Sequence, residues 1–92
     1  MEKYDVLILG GGPAGLSAGI NVMARNKTAL IISNPIAENP LWQSDLVDNH
    51  IGMPKQTGSE MLQNMHNHAV ANGVHFMEGR ALSAVAVSDG FL

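Results

Sequence analysis

The fold of this 92-residue chain is decided by residues 5–18, DVLILGGGPAGLSA. The run from Asp5 to Leu9 is short, apolar and unbroken, which is typical of a strand covered on both faces. Three glycines end that run, and Pro13 follows at a position that suits the first turn of a helix. Apolar residues then recur at helical spacing, at Leu16, Ile20, Met23 and Ala24. The pattern predicts a strand, a tight glycine turn and an amphipathic helix.

A second apolar run follows the helix, from Thr28 to Ile32. Two buried strands joined by one helix predict a right-handed βαβ unit with parallel strands. The next segment, from Ser33 to Thr57, is irregular and contains three of the four prolines. A stretch of this length inside a compact domain is usually functional or disordered, and the absence of a low-complexity tract favours function. Its single tryptophan, Trp42, has two open interpretations, a contact with a cofactor or partner and a cap on the loop.

A second helix is predicted after Thr57, because Thr57 and Glu60 form a capping-box pattern. Gly73 is placed where a helix C-terminus is expected. The apolar face of this helix is predicted to contain Met61, Leu62, Met65, Ala69 and Val70.

Further strands are predicted from Val74 to Met77 and from Ala81 to Val87, with a hairpin turn at Asp89-Gly90. The return strand of that hairpin would contain only Phe91-Leu92. We therefore expect the chain to be a fragment of a larger protein.

Composition places the chain among globular proteins, since 46% of its residues are apolar and 14% are charged. A net charge of −3 argues against a nucleic-acid or anionic-membrane partner. The chain has no cysteine, which excludes a thiolate zinc site and any thiol chemistry of its own. With no basic and apolar leader pattern and no apolar run near ~20 residues, we expect a cytoplasmic α/β protein.

Gly10, Gly12 and Gly15 fit the pattern G-x-G-x-x-G, with a predicted strand before it and a predicted helix after it. In this motif the first glycine permits a tight turn, the second lets the backbone approach a pyrophosphate, and the third allows close packing of helix on strand. The helix N-terminus adds free N–H groups and a partial positive charge. The motif predicts dinucleotide binding, and the plainer alternative is a glycine turn that binds nothing. The phosphate loop of nucleoside triphosphatases is excluded, because no Gly-Lys-Ser/Thr follows.

The acidic residue that this motif usually has at the end of the second strand is missing. Ser33 and Asn34 occupy that place and can hydrogen-bond a ribose, and Glu38 could reach in from the following segment. No arginine or lysine occurs between Ser33 and Lys55, so the sequence does not favour a ribose 2′-phosphate either.

Residues 6–18, VLILGGGPAGLSA, closely resemble the FAD-binding start of the thioredoxin reductase family, which belongs to the pyridine nucleotide-disulfide oxidoreductases. The Pro-Ala pair between the last two glycines is typical of these flavoproteins. A second match is formed by residues 47–54, VDNHIGMP, and residues 57–61, TGSEM. These two stretches are similar to the family's Glu-Asn-x-x-Gly segment and to its Thr-Gly-x-x-Leu helix start. Together the matches span nearly the whole chain.

The resemblance implies which residues bind FAD. Asn49 would contact the flavin ring, and Gln43 resembles the glutamine of the family's Gly-Gly-Gln turn near the isoalloxazine. Leu41-Trp42 replaces the two glycines of that turn. The other half of the cofactor would lie against Gly10, Gly12, Pro13, Ala14 and Gly15 at the pyrophosphate, and Ser33 and Asn34 near the ribose.

The resemblance also implies an architecture and an activity. Residues 1–92 would be the N-terminal part of an FAD-binding domain, with a Rossmann-type βαβ segment, a parallel sheet and the start of a C-terminal β-hairpin. The NAD(P)-binding domain of this two-domain flavoprotein would follow later in the chain. The full protein would be a homodimer that passes electrons from NAD(P)H through FAD to the disulfide of a small redox protein such as thioredoxin. The isolated segment would be inactive.

Two alternatives stay open at this point. One is a flavoprotein reductase with a ferredoxin-linked or quinone-linked acceptor, and the other is a stand-alone nucleotide-binding module. A Cys-x-x-Cys pair beyond residue 92 would favour disulfide reduction.

The remaining polar candidates have plainer interpretations. His66 and His68 are two positions apart on a helix and so point about 200° apart, which favours solvent-facing positions over a metal site. His50 could donate a proton near the flavin, although a packing role in its loop is favoured. Asp48 is interpreted as a hydrogen-bond acceptor within the loop rather than a catalytic acid. No catalytic residue and no metal ligand are assigned to the chain.

Overall fold

The computed structural model describes residues 3–79, 86–87 and 90–91. These residues contain a parallel sheet of β1 (Val6–Leu9), β2 (Ala29–Ser33) and β3 (His75–Glu78), in the order β1-β2-β3. Helix α1 (Pro13–Ala24) connects β1 to β2, and helix α2 (Gly58–Ala71) precedes β3. The predicted α/β class and the parallel βαβ unit are confirmed.

The register of the sheet decides which side chains enter the core. Ile8 pairs with Ile31, and Ile31 pairs with Phe76, so these three side chains share one face. Both helices pack on this face. Leu16 of α1, Leu62 of α2 and Ile31 lie in one buried cluster, and each is at most 1% exposed.

The opposite face of the sheet is open in the part of the chain that the structure describes. Leu7 and Leu9 of β1 are 49% and 57% exposed, and Met77 of β3 is 52% exposed. The prediction that β1 is covered on both faces is therefore wrong for the described residues. Both helices pack on the face that carries Ile8 and Ile31. In the described sheet, β1 is an edge strand with β2 as its single neighbour.

Helix α1 begins at Pro13, as predicted, and packs closely on the sheet through Gly19. A Cβ atom on Gly19 would lie 3.2 Å from a methyl group of Val74. Ala24, which was predicted to lie on the apolar face, is exposed. At about 100° per residue it lies about 80° around the helix axis from Leu16, beyond the edge of the core.

Helix α2 begins with the predicted cap. Thr57 Oγ1 accepts a hydrogen bond from the Glu60 N–H at 3.2 Å and donates to Glu60 Oε1 at 3.0 Å. The helix ends before Gly73, which has φ of +87° as expected for a C-terminal glycine. Val70 is 51% exposed, so its predicted place on the apolar face is wrong, and Ala69 faces the core at that turn. Neither helix of the described residues is long and apolar enough to cross a lipid bilayer.

The segment between β2 and α2 contains local structure. Residues Ile36–Glu38 form one turn of 3-10 helix. Val47 and Gln56 form an isolated antiparallel bridge, with N–O distances of 2.7 and 3.1 Å. Asp48 Oδ1 accepts a hydrogen bond from the Lys55 N–H at 2.9 Å, which confirms its predicted role as a loop acceptor.

A second sheet is formed by β4 (Ala86–Val87) and β5 (Gly90–Phe91), which pair antiparallel. The antiparallel pairing that the predicted hairpin requires is therefore confirmed. Gly90 pairs with Val87 and so belongs to the strand, whereas the sequence pattern placed it in the turn. The other predicted positions of this region, residues 81–85, Asp89 and Leu92, lie outside the described residues.

Asp5 and Thr28 join the starts of β1 and β2. The N–H and the hydroxyl of Thr28 both donate to Asp5 Oδ2, at 2.8 and 3.1 Å, and the Asp5 N–H donates to Thr28 Oγ1 at 3.0 Å. The hydrogen bond from the Thr28 backbone, followed by that from its hydroxyl, lowers the pKa of Asp5 below the usual 3.8. Folding therefore favours the ionised carboxylate.

We expect Asp5→Asn to lower the thermal unfolding temperature of the intact protein at neutral pH. A carboxyl group whose pKa is lowered by folding stabilises the folded state above its unfolded pKa, and this contribution is lost as the pH falls through the folded pKa. The difference between wild type and Asp5→Asn should therefore shrink as the pH falls below 3.8. Asp45→Asn is the matched control, because Asp45 is exposed. A difference that stays constant from neutral to strongly acidic pH would contradict this account.

Candidate functional site

A cavity of about 500 Å³ lies at the carboxyl ends of the three parallel strands. Its volume is within the range of roughly 300–1,000 Å³ that is usual for small-molecule sites. This edge is also where open parallel sheets bind their ligands. Its lining includes Gly10, Gly11, Gly12, Ser33, Asn34, Glu38, Asn39, His66, Phe76 and Glu78.

The glycine turn forms the floor of the cavity. Gly10 leads the chain out of β1 with φ of +117°, a conformation that favours glycine, and its N–H donates to the Ile32 carbonyl oxygen at 2.9 Å. Helix α1 then passes so close to β1 that a Cβ atom on Gly15 would collide with the carbonyl oxygen of Gly10. Gly10 and Gly15 thus have the geometry that the motif predicts for its first and third glycines.

The N-terminus of α1 lies at the cavity. Gly12 caps the helix without a side-chain hydrogen bond, and the Leu16 N–H donates to the Gly12 carbonyl oxygen at 3.0 Å. The N–H groups before Leu16 have no partner within the helix, as at every helix start. They carry the partial positive charge of the helix dipole, so this end of the cavity favours an anionic group.

The second glycine of the motif faces the irregular segment. A Cβ atom on Gly12 would lie 3.0 Å from Asn39 Nδ2. The Asn39 side chain is held in place, because its Oδ1 accepts a hydrogen bond from the Leu41 N–H at 2.9 Å. A larger residue at position 12 would therefore crowd this part of the cavity.

An aromatic pair lines the cavity on the side of α2. The rings of His66 and Phe76 have centroids 4.3 Å apart and are tilted by 32°. The solvent-facing position expected for His66 is wrong, because α2 brings its ring onto Phe76, whereas His68 is exposed as expected.

His50 is also exposed, contrary to its expected packing role, and its Nδ1 hydrogen-bonds the Ile51 carbonyl oxygen at 3.1 Å. The described residues contain no group of three or more His, Cys, Asp or Glu side chains suited to a metal ion.

Among the described residues, the cavity lining contains two carboxylates and no arginine or lysine. Glu38 belongs to the 3-10 helix, and Glu78 is the last residue of β3. Glu78 did not emerge from the sequence pattern, which ended the third strand at Met77. The available signal was its place at the end of a strand, because the carboxyl ends of neighbouring parallel strands meet at one edge of the sheet.

The structure brings together part of the predicted FAD-binding set. Gly10, Gly12, Ser33 and Asn34 line the cavity, and residues 13–15 form the adjoining first turn of α1.

Two predicted residues lie away from the cavity lining. Gln43 Nε2 donates to the Ala37 carbonyl oxygen at 3.5 Å, and Asn49 is exposed in the loop that the Val47–Gln56 bridge closes. Their contacts with a flavin ring stay predictions.

The irregular segment is held against the start of α2. A Cβ atom on Gly58 would collide with the Leu41 carbonyl oxygen, and the Gly58 N–H donates to the Ser44 carbonyl oxygen at 2.9 Å. Trp42, within this turn, is partly buried against the core. Its packing favours the interpretation of Trp42 as a cap on the loop.

Similar proteins were found by sequence and by structure, although no protein-family model matches the chain. The thioredoxin reductase of Aquifex aeolicus is 31% identical over 89 residues, which cover 96% of this chain and 28% of the relative. The thioredoxin reductase of Bacillus subtilis is 32% identical over 76 residues, covering 83% of this chain and 24% of the relative. The structure of a ferredoxin-flavin thioredoxin reductase from Clostridium acetobutylicum matches with a TM-score of 0.87 at 30% identity, over 99% of this chain and 32% of that chain.

These matches confirm the predicted resemblance to the thioredoxin reductase-like pyridine nucleotide-disulfide oxidoreductases. They also confirm the Rossmann-type α/β fold. The chain spans only 24% to 32% of the length of the three proteins, so it corresponds to a segment of each.

The contact between Gly11 and Ser33 at the cavity floor is testable. A Cβ atom on Gly11 would lie 2.8 Å from Ser33 Oγ and 2.9 Å from Ser33 Cβ. We expect Gly11→Ala to destabilise the intact protein by about 1–3 kcal/mol, the usual cost of overpacking. Ser33→Gly removes both clashing atoms, so the double variant should recover most of that loss. Urea unfolding of the wild type, both single variants and the double variant measures the coupling, and strictly additive effects would contradict the contact.

Proposed function

We propose that residues 1–92 form the N-terminal part of the FAD-binding domain of a thioredoxin reductase-like oxidoreductase. The observation that carries this proposal is the cavity at the carboxyl edge of the sheet, with Gly10, Gly11 and Gly12 as its floor. The similarity to thioredoxin reductases over nearly the whole chain supports a flavin as the ligand.

The cavity fits the adenosine diphosphate half of FAD. Its glycine floor leaves the backbone free of side chains, and the start of α1 offers unpaired N–H groups to an anion. The pyrophosphate is proposed to lie at Gly10, Gly12 and the first turn of α1, residues 13–15, with the ribose beside Ser33 and Asn34. Gln43 and Asn49 are proposed to contact the flavin ring, on the strength of the resemblance alone.

FAD supplies the electron-transfer chemistry when it is bound. The task of this chain is to hold and orient the cofactor. It contains no cysteine, so a redox-active disulfide would have to come from another part of the full protein. The 92-residue segment alone is therefore proposed to be inactive.

The full protein is proposed to pass electrons from NAD(P)H through FAD to the disulfide of a small redox protein such as thioredoxin. We further propose that it acts in the cytoplasm as a homodimer. These proposals come from the similarity to thioredoxin reductases, of which this chain spans about three-tenths.

A ferredoxin-linked flavoprotein is the second candidate. One specific observation favours it, namely the 30% identity and TM-score of 0.87 to a solved structure named as a ferredoxin-flavin thioredoxin reductase. In that case ferredoxin, rather than a nicotinamide, would be one of the electron-transfer partners of the bound flavin.

Gly12→Val should abolish the retention of FAD by the full protein. The Cβ atom would lie 3.0 Å from Asn39 Nδ2, and the branched side chain would occupy space where the pyrophosphate approaches the backbone. Ala18→Val is the matched control, because it adds bulk at an exposed position of the same helix. The measurement is flavin absorbance per protein after purification, with circular dichroism to confirm folding. A folded Gly12→Val protein with full flavin content would refute the proposed site.

The two candidate functions differ in the partners of the flavin. Under anaerobic conditions, we expect NADH or NADPH to bleach the flavin absorbance of the full protein, and oxidised thioredoxin to restore it. Bleaching by reduced ferredoxin but by neither nicotinamide would instead support the second candidate. A flavin that none of these donors reduces would contradict both and leave a stand-alone nucleotide-binding module.

A further inference from the structure

We propose that Glu78 takes the place of the acid missing from the end of β2 and binds the ribose hydroxyls of the nucleotide. The cavity would then select adenosine dinucleotides that carry no 2′-phosphate. This inference rests on the proposed nucleotide site and names the residue that decides its ribose specificity.

The sheet register directs Glu78 toward the glycine turn. Ser33 and Glu78 are Cα partners on β2 and β3, so their side chains project from the same face. Ser33 Oγ lies against Gly11, where it would be 2.8 Å from an added Cβ atom. That contact identifies the shared face as the one that carries the cavity, and both Ser33 and Glu78 line it.

The end of β3 is held firmly beside the end of β2. The Gly79 N–H donates to the Ser33 carbonyl oxygen at 2.8 Å, immediately after the last strand pair. Neighbouring strands lie about 4.8 Å apart. A carboxylate on β3 therefore starts only one strand spacing away from the place where the motif usually has its acid.

Glu38 is the other carboxylate of the lining, and its position is less suited to this role. It ends a single turn of 3-10 helix, which its N–H closes by donating to the Pro35 carbonyl oxygen at 3.0 Å. It is not part of the sheet that places Ser33 and Gly11. Glu78, by contrast, is fixed by strand pairing at the edge where the ribose is expected.

The charge of the lining supports selection against a 2′-phosphate. Ribose hydroxyls donate hydrogen bonds to a carboxylate, and such charge-assisted bonds are the stronger kind. Sites for 2′-phosphorylated nucleotides use an arginine instead. Among the described residues the lining contains Glu38, Glu78 and His66 but no arginine or lysine, so a 2′-phosphate would meet the like charge of two carboxylates without a guanidinium or ammonium group to compensate it.

The test compares Glu78→Gln with Glu38→Gln in the full protein stripped of its flavin. Titration calorimetry with FAD, ADP-ribose and 2′-phospho-ADP-ribose measures the affinities. We expect Glu78→Gln to weaken FAD and ADP-ribose binding roughly tenfold or more, because it loses a hydrogen bond to a charged group. Glu38→Gln, in the same lining but outside the sheet, should weaken both affinities by clearly less than Glu78→Gln does, because the ribose is expected beside the ends of the strands.

The discrimination between the two ADP-riboses gives a second readout. The wild type should bind 2′-phospho-ADP-ribose at least about tenfold more weakly than ADP-ribose, and Glu78→Gln should reduce that ratio. Glu78→Asp keeps the charge and should keep the discrimination. Its behaviour therefore separates the role of the carboxylate from a general disturbance of the strand.

The outcomes separate this inference from the proposed function. If the wild type binds FAD and Glu78→Gln binds it equally well, or if Glu38→Gln causes the loss instead, the assignment of Glu78 is overturned while the FAD site stands. If the wild type binds none of the three ligands, the proposed function fails and the inference fails with it.

Discussion

The rest of the structure depends on the contact between the backbone of α1 and the end of β1. A Cβ atom on Gly15 would collide with the Gly10 carbonyl oxygen, so only glycine allows the helix to lie this close to the strand. The contact fixes the start of α1 at the carboxyl edge of the sheet. It also brings Leu16, the next residue, into the buried cluster with Ile31. A larger residue at position 15 would push α1 away from β1. This displacement would disturb both the buried cluster and the floor of the cavity.

A second close backbone approach positions the irregular segment. Gly58, at the start of α2, lies against the Leu41 carbonyl oxygen and donates to that of Ser44. The turn between those two residues is thereby held on the helix, with Trp42 against the core. Asn39 precedes this turn and lies beside Gly12, where an added Cβ atom would be 3.0 Å from Asn39 Nδ2. Two glycine contacts, one at each helix start, thus set the distance between the walls of the site.

The cavity is electrically asymmetric, and this asymmetry matches one class of ligand. The start of α1 presents N–H groups with no partner within the helix and with partial positive charge. The described lining also carries two carboxylates and no arginine or lysine. A molecule with an anionic pyrophosphate and a ribose with free hydroxyls matches both features. The His66 and Phe76 rings add an apolar surface beside them. The same arrangement disfavours a ligand with a further phosphate on the ribose.

Local pattern was enough to predict the strand, the glycine turn and the start of α1, as well as the cap at Thr57 and the glycine after α2. Each of these depends on interactions between residues close together in the chain, so each produces a recognisable short-range sequence pattern. No such pattern predicted the open face of β1, the contact of His66 with Phe76 or the place of Glu78. They depend on which face the helices cover and on which strand lies beside β2. Those choices are made by packing between residues far apart in the chain, and they bring Ser33 and Glu78 together at one edge of the sheet.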